Sequence, residues 1–285
     1  MINKNEITIV LISHNSEELV IQFIKNFSEK IKFLIIDNSN DQNLKDKIKL
    51  LNNVEIKFME NKGYGAAINF ARKFVKTNFF FVFSPDIKKP DDIFIDIFLD
   101  KIKLTEKFGA LGPRFLGVTQ KSHKQSDIYK KIDQIDSISG SAMLFDATTF
   151  DDIGGFDENI FLYFEETDFA KRAKKKGYKI FQINEAKVYH TRGADSGVVN
   201  ANNKEEIDRL ENLYSWHFVW SKFYFYNKHY GKIIAIILFI PTIIRILYRI
   251  NLYTLKKDPK KKEKYKNRLD GFIHSLKGLG SNKRL

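Results

Sequence analysis

Four apolar stretches in the first ninety residues each give way to a more polar segment, three of them of helical spacing, and this alternation constrains the fold more than any other feature. Ile7 to Ile12 reads as a short β-branched strand. Ser16 to Phe27 follows, with Leu19, Val20, Phe23, Ile24 and Phe27 on one helical face. Phe33 to Ile36 is a second strand, Leu44 to Leu51 a helix, and Val54 to Met59 a third strand. Gly63 to Val75 reads as a helix packing Ala66, Ala67, Phe70, Ala71 and Phe74, and Phe79 to Phe83 is the fourth strand. The pattern predicts βαβ units in a mostly parallel sheet with helices on both faces, an α/β fold.

The rest of the chain is less regular. Ile93 to Leu104 reads as a helix, and Gly109 and Gly112-Pro113 as turn residues. Lys121 to Lys131 reads as a loop. Ser137 to Phe145 is strand-like, with Ser139, Gly140 and Ser141 inside it, and a glycine there marks close backbone approach to a ligand. Phe164 to Lys176 reads as a helix closed by Gly177. Tyr178 to Ile183 and Ala186 to Tyr189 read as two short strands. From Trp216 the texture turns aromatic and basic. The expected division is a catalytic domain over 1–212, its nucleotide half about 1–90 and its acceptor half about 91–212, and a helical extension over 213–285.

The chain has 285 residues and a formal charge of +13, which points to an anionic partner. With no cysteine, disulfides and Cys-ligated zinc are excluded. Met1 to Glu6 is polar and does not read as a signal peptide.

Polar groups stand at the strand ends: His14-Asn15-Ser16, Asp37-Asn38-Ser39, Ser84-Pro85-Asp86 and His190-Thr191-Arg192-Gly193. In a parallel sheet successive strand ends share one edge, where ligands bind, so the first three should converge. Pro and Asp also simply end strands, which is the plain reading of Asp86 alone. Asn61-Lys62-Gly63-Tyr64-Gly65 opens a helix whose glycines and N-terminus suit a phosphate, although it is neither a Walker loop nor a dinucleotide fingerprint. Asp168 is accounted for by an i, i+4 pair with Arg172. Glu165 and Glu166, adjacent acids after the aromatic run Phe161 to Phe164, are not so explained. Either can hold a raised pKa against that wall, as a general base needs.

The ordered set Asp37, "NKGYGAAIN", "FSPDI", "ISGSAMLF", "GGFDE", "FEETDFAKR" and "YHTRGADSG" resembles the family 2 inverting glycosyltransferases of the GT-A nucleotide-diphospho-sugar transferase fold, within them rhamnosyltransferase-like members. The resemblance spans about residues 7–200. It implies that Asp37 binds the donor base, with Asn38 beside it, and that Ser13, His14, Asn15, Lys62 and Gly63 line the nucleotide pocket. It places Ser84 and Asp86 in a variant acidic motif, Asp86 holding Mg²⁺ or Mn²⁺ on the diphosphate. Gly140, Ser141 and Glu165 fall on the substrate side, and Glu166 at the general base. His190 falls at a further metal or diphosphate ligand, and Arg192 on a loop able to close over the diphosphate. Ser84 replaces the motif's first acid, and Glu166 replaces the usual Asp.

The implied partners are a nucleotide-sugar donor, dTDP-rhamnose before UDP-sugars, and a saccharide or lipid-linked saccharide acceptor in cell-surface polysaccharide synthesis. No nucleic acid is expected. A sugar-1-phosphate nucleotidyltransferase is the rival enzyme, but it needs an early Gly-rich basic loop where this chain has "LISHNSEEL". A non-catalytic basic protein binding membrane or nucleic acid is the third reading. In the tail, Ile233 to Ile246 is shorter than the ~20 residues of a simple crossing and holds Pro241 and Arg245. With its aromatic flanks and the "KKDPKKKEKYKNR" cluster it reads as a helix lying in an anionic membrane interface. The alternative is a helix packed on the rest of the protein. The expected location is the cytoplasm, peripheral on the inner membrane face.

Overall fold

The structure is a computed structural model that describes residues 3–105, 107–116, 129–190 and 204–284. The chain divides into two compact units, Met1–Phe156 with Glu166–Val198, and Asp157–Glu165 with Val199–Leu285.

The first unit is built on one sheet. In its opening half, strands β1 (Ile7–Ser13), β2 (Lys32–Asp37), β3 (Val54–Phe58) and β4 (Phe79–Phe83) alternate with helices α1 (Glu17–Ile24), α2 (Gln42–Ile48) and α3 (Tyr64–Arg72). These four strands are parallel, in the order β3-β2-β1-β4. Every residue of β1 and β4 is buried, so both their faces need cover. The two-residue period of the strands sends alternate side chains into separate cores. Ile7, Ile9, Leu11, Phe33, Ile35, Phe81 and Phe83 pack with Val20, Phe23, Leu44 and the helix α4 (Asp92–Ile102). Val10, Leu34, Ile36, Phe80 and Val82 pack on the other side with Ala67, Ile68 and Ala71 of α3. Phe81 lies wholly in the first core, and truncating it to Ala should cost about 3–5 kcal/mol.

Beyond β4 the sheet is mixed. It continues β8 (Ala142–Asp146), β6 (Phe108–Leu116), β9 (Lys179–His190) and β5 (Ile87–Lys88), with β7 (Ile132–Gln134) also on β9. Helices α5 (Ala147–Ile153) and α6 (Glu165–Lys175) complete this half, and Phe150, Ile153, Phe169 and Ala173 join the second core. The parallel expectation therefore holds for the first four strands, while β4–β8, β6–β8, β7–β9 and β5–β9 run antiparallel.

Three local readings are corrected here. Gly109, Gly112 and Pro113 do not form turns but lie inside β6. A Cβ on Gly109 would come within 2.9 Å of the Ala173 Cβ, so this glycine serves close helix–sheet packing. Pro113, which offers no N–H to the ladder, stands where the register against β9 shifts. The two short strands after Gly177 are one strand, β9, whose residues 184–186 are skipped in the pairing with β6. Likewise Ser139, Gly140 and Ser141 precede β8 instead of lying inside it.

The second unit contains α7 (Lys204–Tyr230), α8 (Lys232–Leu255) and α9 (Pro259–Leu276). Gly231, at φ +83°, separates α7 from α8. Val219 and Phe223 of α7, Ala235, Phe239 and Ile246 of α8 and Phe272 of α9 form its core. The apolar tail run is thus part of a 24-residue helix that continues through Pro241, and by length and composition alone it is long enough to cross a bilayer. Trp216, Trp220 and Phe223 are buried, which removes them from any aromatic membrane belt.

Candidate functional site

The carboxyl ends of β2, β1 and β4 bring the predicted polar groups together. Ser13 pairs with Asp37 in the ladder, and the Asn38 N–H donates to the Ser13 carbonyl at 3.0 Å. His14 Nδ1 lies 2.7 Å from Asn38 Oδ1, and the Asn15 N–H donates to Ser39 Oγ at 3.0 Å. Asn15 takes a left-handed φ of +51° to make this turn. Asp37 is fully buried. Its Oδ1 accepts from the N–H groups of Ser39 and Asp41, each at 3.0 Å, and its Oδ2 from the Ser39 hydroxyl at 3.0 Å. In this structure its first task is to shape the loop after β2.

A second chain of contacts links the remaining loops. Gly63, at φ +105°, caps α3, and the Tyr64 hydroxyl donates to the Gly140 carbonyl at 2.8 Å. The Ser84 N–H donates to the Ser141 carbonyl at 2.9 Å. Lys62 is exposed beside this line. So Gly63, Gly140, Ser141 and Ser84 share one neighbourhood, contiguous with Asp86. The Ser84 hydroxyl donates to Asp86 Oδ1 at 2.5 Å and so orients that carboxylate.

His190 reaches Asp86 through strand pairing. Ile87 of β5 lies opposite His190 of β9, and His190 Nε2 sits 3.0 Å from Asp86 Oδ2. Both side chains are largely buried, and the buried His190 Nδ1 has no hydrogen-bond partner among the described residues. Among the described residues no group of three or more His, Cys, Asp and Glu gathers as a metal cluster. The Asp86 carboxylate is the kind of oxygen ligand that Mg²⁺ or Mn²⁺ takes, Mg²⁺ completing its shell with phosphate oxygens and water, while the neighbouring imidazole is a ligand that Mg²⁺ seldom uses. Arg192 lies outside the described residues.

Glu165 and Glu166 are the first two residues of α6. Burial is the dominant influence on the Glu166 carboxyl and holds its pKa above the ordinary carboxylate value, against the lowering effect of nearby amides and the Thr167 hydroxyl. Asp168 is buried and receives Arg172 Nε at 2.8 Å, and Arg172 also donates to the Ile153 carbonyl, so this pair is structural.

Sequence reasoning missed the turn that leads into these acids. Tyr163 and Phe164 have φ of +67° and +70°, and neither is glycine. Left-handed backbone costs such residues roughly 1–2 kcal/mol each, and strain of this kind collects at functional sites. The Tyr163 ring packs on Tyr214 and Phe218, and Phe164 on Phe218 and Phe225.

No family model matches the chain. It is 19% identical over 243 residues to the low-salt glycan biosynthesis hexosyltransferase Agl10 of Haloferax volcanii, covering 76% of this chain and 78% of that one. A 60-residue stretch, about a fifth of each chain, is 35% identical to an N-acetylglucosaminyl-diphospho-decaprenol L-rhamnosyltransferase of Mycobacterium tuberculosis. Among solved structures, S. aureus TarS 1–349 in complex with UDP-GlcNAc superposes with a TM-score of 0.54 at 14% identity, over 96% of this chain and 92% of that one. The mannosyltransferase PcManGT of Pyrobaculum calidifontis, in complex with GDP-Man and Mn²⁺, does so at 0.52 and 11%, over 95% and 87%. These relatives are glycosyltransferases, and the architecture they share with this chain is the GT-A glycosyltransferase fold.

Proposed function

We propose that the chain is an inverting glycosyltransferase that moves a hexose from a nucleotide-diphosphate donor to a hydroxyl of a saccharide acceptor. The observation that carries this reading is the meeting of Asp86, His190, Ser84 and Ser141 beside the strand-end loops of a GT-A sheet. The His14–Asn38 loops receive the nucleoside, and the α3 N-terminus faces the phosphates. Asp86 and His190 would hold a divalent cation, which when bound would neutralise charge developing on the leaving diphosphate. Glu166 takes the acceptor hydroxyl's proton. The acceptor oxygen bonds to the anomeric carbon as its bond to the diphosphate oxygen breaks, the electron pair leaving with the nucleoside diphosphate, and the single displacement inverts configuration.

The favoured donor is dTDP-rhamnose, supported by the motif resemblance and the short rhamnosyltransferase match, with UDP-sugars next. The test is donor hydrolysis across a nucleotide-sugar panel with added Mg²⁺ or Mn²⁺. Silence across the panel, in hydrolysis and in binding, refutes the transferase reading.

The acceptor proposed is a lipid-linked saccharide at the cytoplasmic face of an anionic membrane, in polysaccharide synthesis. Support comes from α8. Its Ala235, Phe239 and Ile246 face the helical core, while Ile233, Ile237, Ile244 and Tyr248 on the other side are exposed. No Asp or Glu occurs in α8, and Lys256, Lys257 and the α9 lysines follow it. One side of α8 is committed to α7 and α9, and α9 carries a run of lysines, so a crossing would drag those charges into hydrocarbon. The helix therefore lies in the interface. The protein should float with anionic vesicles at low salt and be released at high salt; indifference to every vesicle would make the acceptor soluble.

A further inference from the structure

Beside the Asp86–His190 pair, and wholly within the first compact unit, the last residues of β9 present two unlike faces. Ala186 and Val188 pack in the first core, and Ile87, which lies opposite His190, packs there too. Lys187 and Tyr189 alternate with them and are exposed, Tyr189 to 40%. Lys88 of β5 lies directly opposite Tyr189 in the ladder and is also exposed. Lys89 follows, and its Nζ stands 4.7 Å from the centre of the Tyr189 ring, whose face holds the ammonium. Glu185, the acid on this face of β9, is taken by Lys101 and Lys131. Among the described residues no carboxylate pairs with Lys88, Lys89 or Lys187, and nothing bonds the Tyr189 hydroxyl.

The backbone at Lys89 is a second, independent observation. Its φ of +85° lies in the region that favours glycine, and the next residue is Pro90, before which a chain prefers extended backbone. A lysine held against both preferences is strain of the kind that collects at ligand clamps. Ammonium groups gathered without a counter-charge repel one another, and an anion that bridges them relieves this. A phosphate suits the strip, because its several oxygens accept from ammonium groups and a phenolic hydroxyl together. Tyr189 and His190 face opposite ways along β9, so the anion held here is a different group from the one beside His190. We propose that Lys88, Lys89, Lys187 and Tyr189 form a phosphate subsite next to the cation site, and that the acceptor saccharide carries the phosphate that fills it. The ligand's role as acceptor rests on the transferase reading; the phosphate site stands without it.

The test is calorimetric titration of glucose 1-phosphate, with UDP and Mn²⁺ in excess to keep the nucleotide pocket filled. Wild type should bind it about tenfold or more tightly than it binds glucose. Lys89→Gly should fold as well as wild type, because glycine takes this φ without strain, yet bind glucose 1-phosphate about tenfold more weakly. Lys89→Arg keeps the charge and should keep most of the affinity. Tyr189→Phe removes the hydroxyl alone and should weaken binding by about threefold. Should Lys89→Gly not fold, the double variant Lys88→Gln, Lys187→Gln decides on the same readout. Equal affinity of wild type for glucose 1-phosphate and glucose, or unaltered binding in Lys89→Gly, overturns the proposal. UDP titrated with Mn²⁺ should bind Lys89→Gly as it binds wild type; a joint loss would give Lys89 to the donor and overturn the acceptor subsite. Binding of glucose 1-phosphate through Lys89, in a protein that hydrolyses no nucleotide sugar, would keep the phosphate site and refute the transferase reading alone.

Discussion

Asp86 and Glu166 are two carboxylates placed by opposite means. Asp86 stands at the end of a wholly buried strand, its rotamer set by the Ser84 hydroxyl and its partner His190 delivered by the β5–β9 ladder. No residue between Ser84 and Asp86 takes left-handed backbone. Glu165 and Glu166 follow two left-handed, non-glycine residues, Tyr163 and Phe164, whose rings pack on Phe218 of α7. The difference suits the two tasks proposed for them. A cation ligand needs fixed geometry, which a hydrogen-bond ladder supplies locally. A base needs a desolvated carboxyl with a raised pKa, which only surrounding bulk can supply.

The largest expected effect is at Asp86. Asp86→Asn should fold normally and lose cation-dependent turnover, and full activity would remove the ligand assignment. Glu166→Gln comes next: turnover should fall by about 100-fold or more, with donor affinity nearly unchanged. In the wild type the acid limb of kcat should lie above the ordinary Glu pKa, since burial raises the Glu166 carboxyl. A limb at the ordinary value would mean the base is solvated. His190→Asn should weaken the apparent cation affinity by roughly ten- to 100-fold while leaving the maximal rate near wild type at saturating cation. The smallest effect concerns stability. The Asp157 carboxyl is depressed to about 2, burial opposing and the Lys228 ammonium and Asn159 amides outweighing it. A folded pKa below the unfolded value stabilises at neutral pH, and the gain disappears as pH falls through the range from about 5 to 2. It amounts to about 2 kcal/mol. Denaturant midpoints for Asp157→Asn should lack that part of the acid slope.

The Asp86 half of this comparison was legible in the sequence, and the Glu166 half only partly. Buried parallel strands announce themselves as β-branched and aromatic runs ending in polar residues, so the first four strands and their loops could be placed from the chain alone. Pairing of β5 with β9 could not, because a two-residue strand has no periodicity and its partner lies about a hundred residues away. Gly112-Pro113 reads as a turn by composition, yet the close approach of Ile138 explains the glycine and a register shift admits the proline. The acids Glu165 and Glu166 were visible, but not their support. Aromatic residues of α7 carry the same chemistry whether they meet a bilayer or a strained loop. The placement of Tyr214, Phe218 and Phe225 on one face was the available signal, and it was masked by buried residues on the other faces of the same helix.

Calorimetric titration of a nucleoside diphosphate, with and without Mn²⁺, into wild type, Asp86→Asn and Glu166→Gln tests the division of labour most directly. The account predicts that Mn²⁺ strengthens binding to wild type and Glu166→Gln alike, and that Asp86→Asn loses the Mn²⁺-dependent gain. Equal Mn²⁺ dependence in all three proteins, or its loss in Glu166→Gln alone, would contradict it.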